Sequence, residues 1–131
     1  MPVLTISMCK GRTPDQKARL KNAVCTALQE TFCKADNSYS IRMMEFTPED
    51  FFLPPPKTQG YLLFEVDCFP GREESQKNQF YQSILAGLQE IGEDPEQALI
   101  LIREPPLENW GYAGKKNILP SGLRWYYHTT L

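Results

Sequence analysis

The sequence predicts an α/β fold in which tandem β-α-β units form a four-stranded mixed sheet with two helices on one face. Three observations carry that prediction. The chain repeats itself at an offset of 60: Gly11-Arg12 falls on Gly71-Arg72, Gln16-Lys17 on Gln76-Lys77, and Leu28-Gln29-Glu30 on Leu88-Gln89-Glu90. Each copy reads strand, helix, strand by its hydrophobic period. A long crossover helix between two strands makes each strand pair parallel and right-handed. The 131 residues suffice for one domain with a real core. The chain therefore reads as a single domain, residues 1–131, made of pseudo-repeats of about 1–58 and 59–131.

The first strand runs from Pro2 to Met8, with Leu4, Ile6 and Met8 on one face and Val3, Thr5 and Ser7 on the other. Thr13 is a good N-cap, Pro14 suits the first helical position, and Asp15 sits at the positive end of the helix dipole. Leu20, Ala23, Val24, Ala27, Leu28 and Phe32 then recur at helical spacing as a packing stripe, with Lys17, Lys21 and Glu30 on the solvated side. Ser40 to Phe46 is the second strand. Thr47 to Gly60, with Phe51-Phe52-Leu53 ahead of Pro54-Pro55-Pro56, is a linker too stiff for a helix. Leu62 to Cys68 repeats the first strand, and a second helix starts near Glu73-Glu74, carries Phe80, Tyr81, Ile84, Leu85, Leu88 and Ile91, and ends at Gly92. Ala98 to Arg103 is the last strand; its unbroken apolar run predicts cover on both faces. No third helix is available for the second face of the sheet, so another subunit is expected to supply it. The tail beyond Pro105 gathers Trp110, Tyr112, Trp125, Tyr126 and Tyr127, rings assigned to packing between subunits in preference to the domain's own core.

Composition removes whole classes of function. A net charge of −2, from 14 basic and 16 acidic residues, leaves no electrostatic footprint for nucleic acid or an anionic membrane. No apolar run approaches the roughly 20 residues of a membrane span, and the amino terminus lacks a basic-then-apolar signal pattern. Cys9, Cys25, Cys33 and Cys68 form no CxxC pair and His128 is the one histidine, so neither a zinc site nor a disulfide framework is expected. The expectation is a cytoplasmic protein with reduced thiols that uses no metal and no cofactor.

The residue with the most distinctive chemistry is Pro2. A small second residue lets an aminopeptidase remove Met1, which leaves a secondary amine at the head of the first strand. Inside a chain the same nitrogen is an amide without basicity. An apolar pocket disfavours the charged form of the amine and nearby arginines push the same way, giving a free base near neutral pH. Proton transfer at carbon needs such a base. Met-Pro is also a common way for a chain to start, so the dipeptide alone does not decide. Asp94, Glu96, Glu104 and Glu108 read as solvated loop charges, Cys9 as a packed thiol, and His128 as a frayed or interface residue near the chain end.

A proline-headed strand, the helix start Gly11-Arg12-Thr13-Pro14-Asp15-Gln16-Lys17 and a second copy of the unit resemble the tautomerase superfamily. That superfamily is built from β-α-β units of about sixty residues, free as in 4-oxalocrotonate tautomerase or fused in pairs. The likeness covers nearly the whole chain and is closest to fused members, through Phe46-Thr47-Pro48-Glu49-Asp50-Phe51, Phe69-Pro70-Gly71-Arg72 and the run from Arg103 to Gly111. The resemblance implies that Pro2 is the catalytic base and acid. It also implies that Arg72, with Arg42 and Arg12, binds a substrate carboxylate beside a pocket wall at Trp110, and that three copies assemble. On the residues alone, Arg12 is equally a solvated side chain at a helix start, and Arg42 either points inward or pairs with Glu45.

Departures narrow the reaction. Malonate semialdehyde decarboxylases of this superfamily carry a second arginine in the loop where this chain has Phe69-Pro70-Gly71-Arg72, and an aspartate where it has Asn37 beside Asp36. The dehalogenases also carry paired arginines, and Phe69 occupies the place of one. The reading that asks least of the site is keto–enol tautomerisation of a small 2-oxo or enol carboxylic acid. Two alternatives stand beside it. One is a non-catalytic oligomeric binding module; the other is a hydratase or decarboxylase of a three-carbon oxo acid, with water oriented by Asn37 or Tyr39.

Overall fold

The computed structural model describes residues 2–32 and 39–111. Strand β1 spans Val3–Cys9, helix α1 Pro14–Thr31, β2 Ser40–Phe46, β3 Leu62–Asp67, α2 Glu74–Glu90 and β4 Ala98–Arg103. Single 3-10 turns occupy Pro48–Asp50, Pro95–Gln97 and Leu107–Asn109.

Local sequence explains where the helices begin. The Thr13 hydroxyl accepts from the Gln16 N–H at 3.1 Å, and the Gln16 side chain accepts from the Thr13 N–H at 2.8 Å. This reciprocal box satisfies two of the N–H groups that a helix start leaves open, with Pro14 in the first helical position. Helix α2 repeats the box with Glu73 and Gln76. The turn before each helix contains a glycine at positive φ, Gly11 at 138° and Gly71 at 111°, where a side chain would be strained.

The sheet order is β2-β1-β3-β4. β1 and β2 are parallel, as are β3 and β4, while the central β1–β3 pair is antiparallel with Val3 opposite Asp67 and Met8 opposite Leu62. That antiparallel seam has a consequence for function. It sets the start of the first unit's strand beside the end of the second unit's strand, so the sheet has two non-equivalent ends. The near end gathers Pro2, Ser40, Asp67 and Arg103; the far end gathers Cys9, Phe46, Leu62 and Ala98.

Both helices cover one face. Leu4, Ile6, Met8, Leu62, Phe64 and Val66 point into it against Leu20, Val24, Leu28, Phe80, Ile84 and Leu88, each no more than 1% exposed. Full burial of a side chain of this kind stabilises by about 1.5–3 kcal/mol. Phe32, which caps α1, stacks on Phe80 of α2 with ring centroids 4.8 Å apart, locking the two units together at the near end.

With both helices on one face and, among the described residues, no third helix for the other, β4 is covered on one face only within the chain, and Leu99 is 52% and Leu101 44% exposed. One expectation is corrected. Lys17, read as solvated, pairs with Glu45 at 3.0 Å. Trp110 packs edge-to-face on Phe69 of its own chain at 4.9 Å, and its indole N–H donates to the Pro105 carbonyl at 3.1 Å. Tyr112, Trp125, Tyr126, Tyr127 and His128 lie outside the described residues. No helix among the described residues is long and apolar enough to cross a membrane.

Candidate active site

Pro2 is buried at the head of β1, and its carbonyl accepts from the Ser40 N–H at 3.1 Å. Continuing the β1–β3 register by one residue sets Pro2 across from Cys68, whose N–H donates to the Arg103 carbonyl at 3.0 Å. Backbone hydrogen bonds therefore tie all four strand termini at this end. The Cys68 thiol is pushed up by burial, and the positive charge of Arg72 opposes that rise.

The loop after β3 supplies the cation. Arg72 is only 5% exposed. Its guanidinium lies 4.5 Å over the Phe32 ring and donates to the Phe69 carbonyl at 3.1 Å and the Phe32 carbonyl at 3.4 Å. Phe32 is the C-cap of α1, a helix with no basic residue in its last turn. Arg72 thus brings a positive charge from the second unit to the negative end of the first unit's helix. It does so as a fixed, buried charge.

Glu104 holds this loop from the far side. One carboxylate oxygen accepts from the Gly71 N–H at 3.2 Å, and the other pairs with the Lys77 ammonium on the first turn of α2. The bond to Glu104 holds Lys77 above its ordinary value. Glu104 is therefore a paired, three-quarters-buried group at the near end, where the sequence reading had a solvated loop charge. Neither Lys77 nor Glu104 was singled out in the sequence as part of the site. The available signal was positional: Glu104 follows β4 directly, at the end of the sheet where Gly71 follows β3.

The uncovered sheet face carries the other two near-end arginines. Arg42 is exposed and opposite Thr5, to whose hydroxyl its Nε donates at 2.8 Å; among the described residues its terminal nitrogens make no hydrogen bond. Glu45, its expected partner, lies on the other face of β2 with Lys17, because the two residues are three apart on a strand of period two. Arg103 is fully engaged: Nε and Nη2 bind Asp67 at 2.8 and 3.0 Å, and Nη1 binds Glu65 at 2.7 Å. The Arg103 hydrogen bond holds Asp67 below the usual carboxylate range, against partial burial and with help from the charges of Arg103 and Arg42.

Arg12 is at the opposite end of the sheet. Its Nε and Nη2 grip Glu93 bidentately at 2.9 and 2.7 Å, and Nη2 also donates to the Gly60 carbonyl at 3.0 Å. The side chain is 9% exposed, so the solvated alternative is excluded. Asn37 and Asp36 lie outside the described residues. Tyr39 is described, and its hydroxyl accepts from the Gln29 side chain at 2.9 Å. Of the residues singled out in the sequence, the structure brings Pro2, Arg72 and, through Phe69, Trp110 to one end, sets Arg42 on the open face nearby, and separates Arg12 from them.

Two fused β-α-β units whose central strands run antiparallel, with a buried proline at one strand head, define a tandem two-unit class of small α/β protein. A family model described as "Tautomerase enzyme" matches residues 38–113, and another of the same description matches residues 2–55. The chain belongs to the tautomerase enzyme family. Solved structures agree on the fold. A malonate semialdehyde decarboxylase is 22% identical, with a TM-score of 0.75 over 85% of this chain and 90% of its own. A wild-type fused 4-OT symmetric trimer is 21% identical, with a TM-score of 0.77 over 92% and 98%. Pt0534, inactivated by 2-oxo-3-pentynoate, is 23% identical, with a TM-score of 0.77 over 88% and 95%.

Proposed function

We propose that this protein is a cofactor-independent keto–enol tautomerase for a small 2-oxo or enol carboxylic acid, with Pro2, freed by removal of Met1, as base and then acid. The observation that carries the reading is the near end itself: a proline buried at a strand head, in a sheet corner that also holds the buried guanidinium of Arg72. Burial and that charge both disfavour the ammonium form, so the amine is a free base at neutral pH. The amine takes a proton from the carbon next to the carbonyl. The C–H electron pair becomes the C=C bond and the carbonyl oxygen takes up negative charge; that oxygen then takes a proton from water, while the ammonium returns its own to solvent, which restores the free amine. Ketonisation runs the same steps backwards, with the ammonium protonating carbon. Positive charge from the arginines stabilises the developing enolate.

Arg42 is the group suited to grip the substrate carboxylate, because it is exposed and, among the described residues, its terminal N–H groups make no hydrogen bond while its Nε is anchored on Thr5. Arg72 contributes charge, and Trp110 with Phe69 forms an apolar wall. The open sheet face with Met44, Leu99 and Leu101 exposed favours self-association into a trimer, in line with the fused 4-OT trimers of the same fold. Such packing lays the Arg42 face against a second copy. Isomerisation of phenylpyruvate or 2-hydroxymuconate, followed by absorbance alongside intact-mass analysis of the same preparation, tests the reading. Turnover by protein lacking Met1 is expected; no turnover by the fully processed chain on either substrate contradicts it.

A further inference from the structure

The repeat that builds the fold also builds the far end, and there its arginine is bound to a carboxylate of the chain itself. At the near end the arginine of the second Gly-Arg reaches the C-cap of the first unit's helix, Phe32. At the far end the arginine of the first Gly-Arg, Arg12, reaches the chain just past the second unit's helix: the counterpart of Phe32 at the offset of 60 is Gly92, and Arg12 binds the next residue, Glu93. The strand head that corresponds to Pro2 is Leu62.

We propose that the far end is a second carboxylate-binding site held shut by the chain's own Glu93. The geometry is that of a guanidinium recognising a carboxylate ligand. Two N–H groups meet two oxygens at 2.9 and 2.7 Å in a fork, and the Gly60 carbonyl fixes the guanidinium from behind at 3.0 Å. Both side chains are largely out of solvent, 9% exposed for Arg12 and 16% for Glu93, so a free carboxylate competes poorly with one that is already tethered. A cleft of about 330 Å³ at the same end is lined by Cys9, Phe51, Leu53, Lys57 and Gln59, the last of them next to Gly60 in the chain. Chemistry ends there, because Leu62 lies within the chain and its nitrogen is an amide. The chain therefore offers one reactive end per copy, and Glu93 keeps small carboxylates from being held at the other.

Removing Glu93 should unmask Arg12. In Glu93→Ala, sodium acetate at a tenfold excess over its Kd should raise Tm by about 2–5 °C relative to sodium chloride of equal ionic strength. It should also move the Arg12 Nε–H resonance. The double variant with Arg12→Ala should lose both responses, and the wild type should lack the resonance shift. The near end is untouched in all three, so their tautomerase activity does not enter the readout. Should Glu93→Ala not fold unaided, the same proposal predicts that acetate restores its folding, while Glu93→Gln, which keeps the volume and drops the charge, gives a weaker acetate response of the same ranking. Equal acetate effects on Glu93→Ala and the double variant would overturn the proposal and leave an ordinary ion pair.

Discussion

The two ends of the sheet share one plan and differ in the state of two atoms. At the near end the strand head is a proline, and at the far end it is Leu62. At the near end the arginine of the Gly-Arg turn donates to main-chain carbonyls of Phe69 and Phe32; at the far end it is bound to a carboxylate. A carboxylate within 3 Å largely cancels the charge of Arg12. The lesson is that duplication supplied two corresponding corners with different nitrogens at the strand head, and on the proposed mechanism that nitrogen decides which one can move a proton.

The largest effect expected from breaking this asymmetry is at Pro2. Pro2→Ala replaces the secondary amine with a primary one and should lower kcat at least about a hundredfold, measured on phenylpyruvate, with the fold unchanged by circular dichroism. Next comes the carboxylate grip. Arg42→Ala should raise KM about tenfold or more with a smaller change in kcat. Arg103→Ala, on the same face but already held by Asp67 and Glu65, should change KM by less than about twofold. At the far end the order of effects reverses. Arg12→Ala should cost about 1–3 kcal/mol in a urea titration, since Glu93 is left largely desolvated without its partner, while the rate stays at the wild-type value.

Smaller shifts sharpen the comparison further. Glu104→Gln removes a negative charge from the near end and should move the acid limb of the pH–rate profile to lower pH; Lys77→Met removes a positive one and should move it higher. The smallest effect is on stability against pH. Asp67 is held below its ordinary value of 3.8 in the folded protein, so its contribution is present above that pH and is lost as the pH falls through the lower folded value. Asp67→Asn should flatten that part of the acid-unfolding curve by less than about 1 kcal/mol, because its arginine partner is half exposed.

The architecture was legible because duplication writes the same signal twice. The Thr13 cap, the Ser40–Phe46 strand and the Ala98–Arg103 strand are where their periods say they are. What periodicity does not carry is which strand end meets which loop. The antiparallel β1–β3 seam sends Arg72 to the Pro2 end and Arg12 away from it, and no local pattern around either arginine encodes that. An apolar strand reads the same whether its second face is covered by its own helices or by another molecule; it was the lack of a third helix that marked the face of Leu99 and Leu101 as open within the chain. Glu104 looked like any loop acid because its partners, Lys77 and the Gly71 N–H, come from a segment 27 to 33 residues earlier in the chain.

The most direct test of the central claim is a ¹⁵N NMR titration of the Pro2 nitrogen in protein lacking Met1. The account predicts a pKa well below the range of an ordinary α-amine, about 7.7–8.0, and one that rises when Arg72 is replaced by methionine. A value at or above that range would contradict it: the buried proline would then be a charged strand head, and the near end would be as inert as the far one.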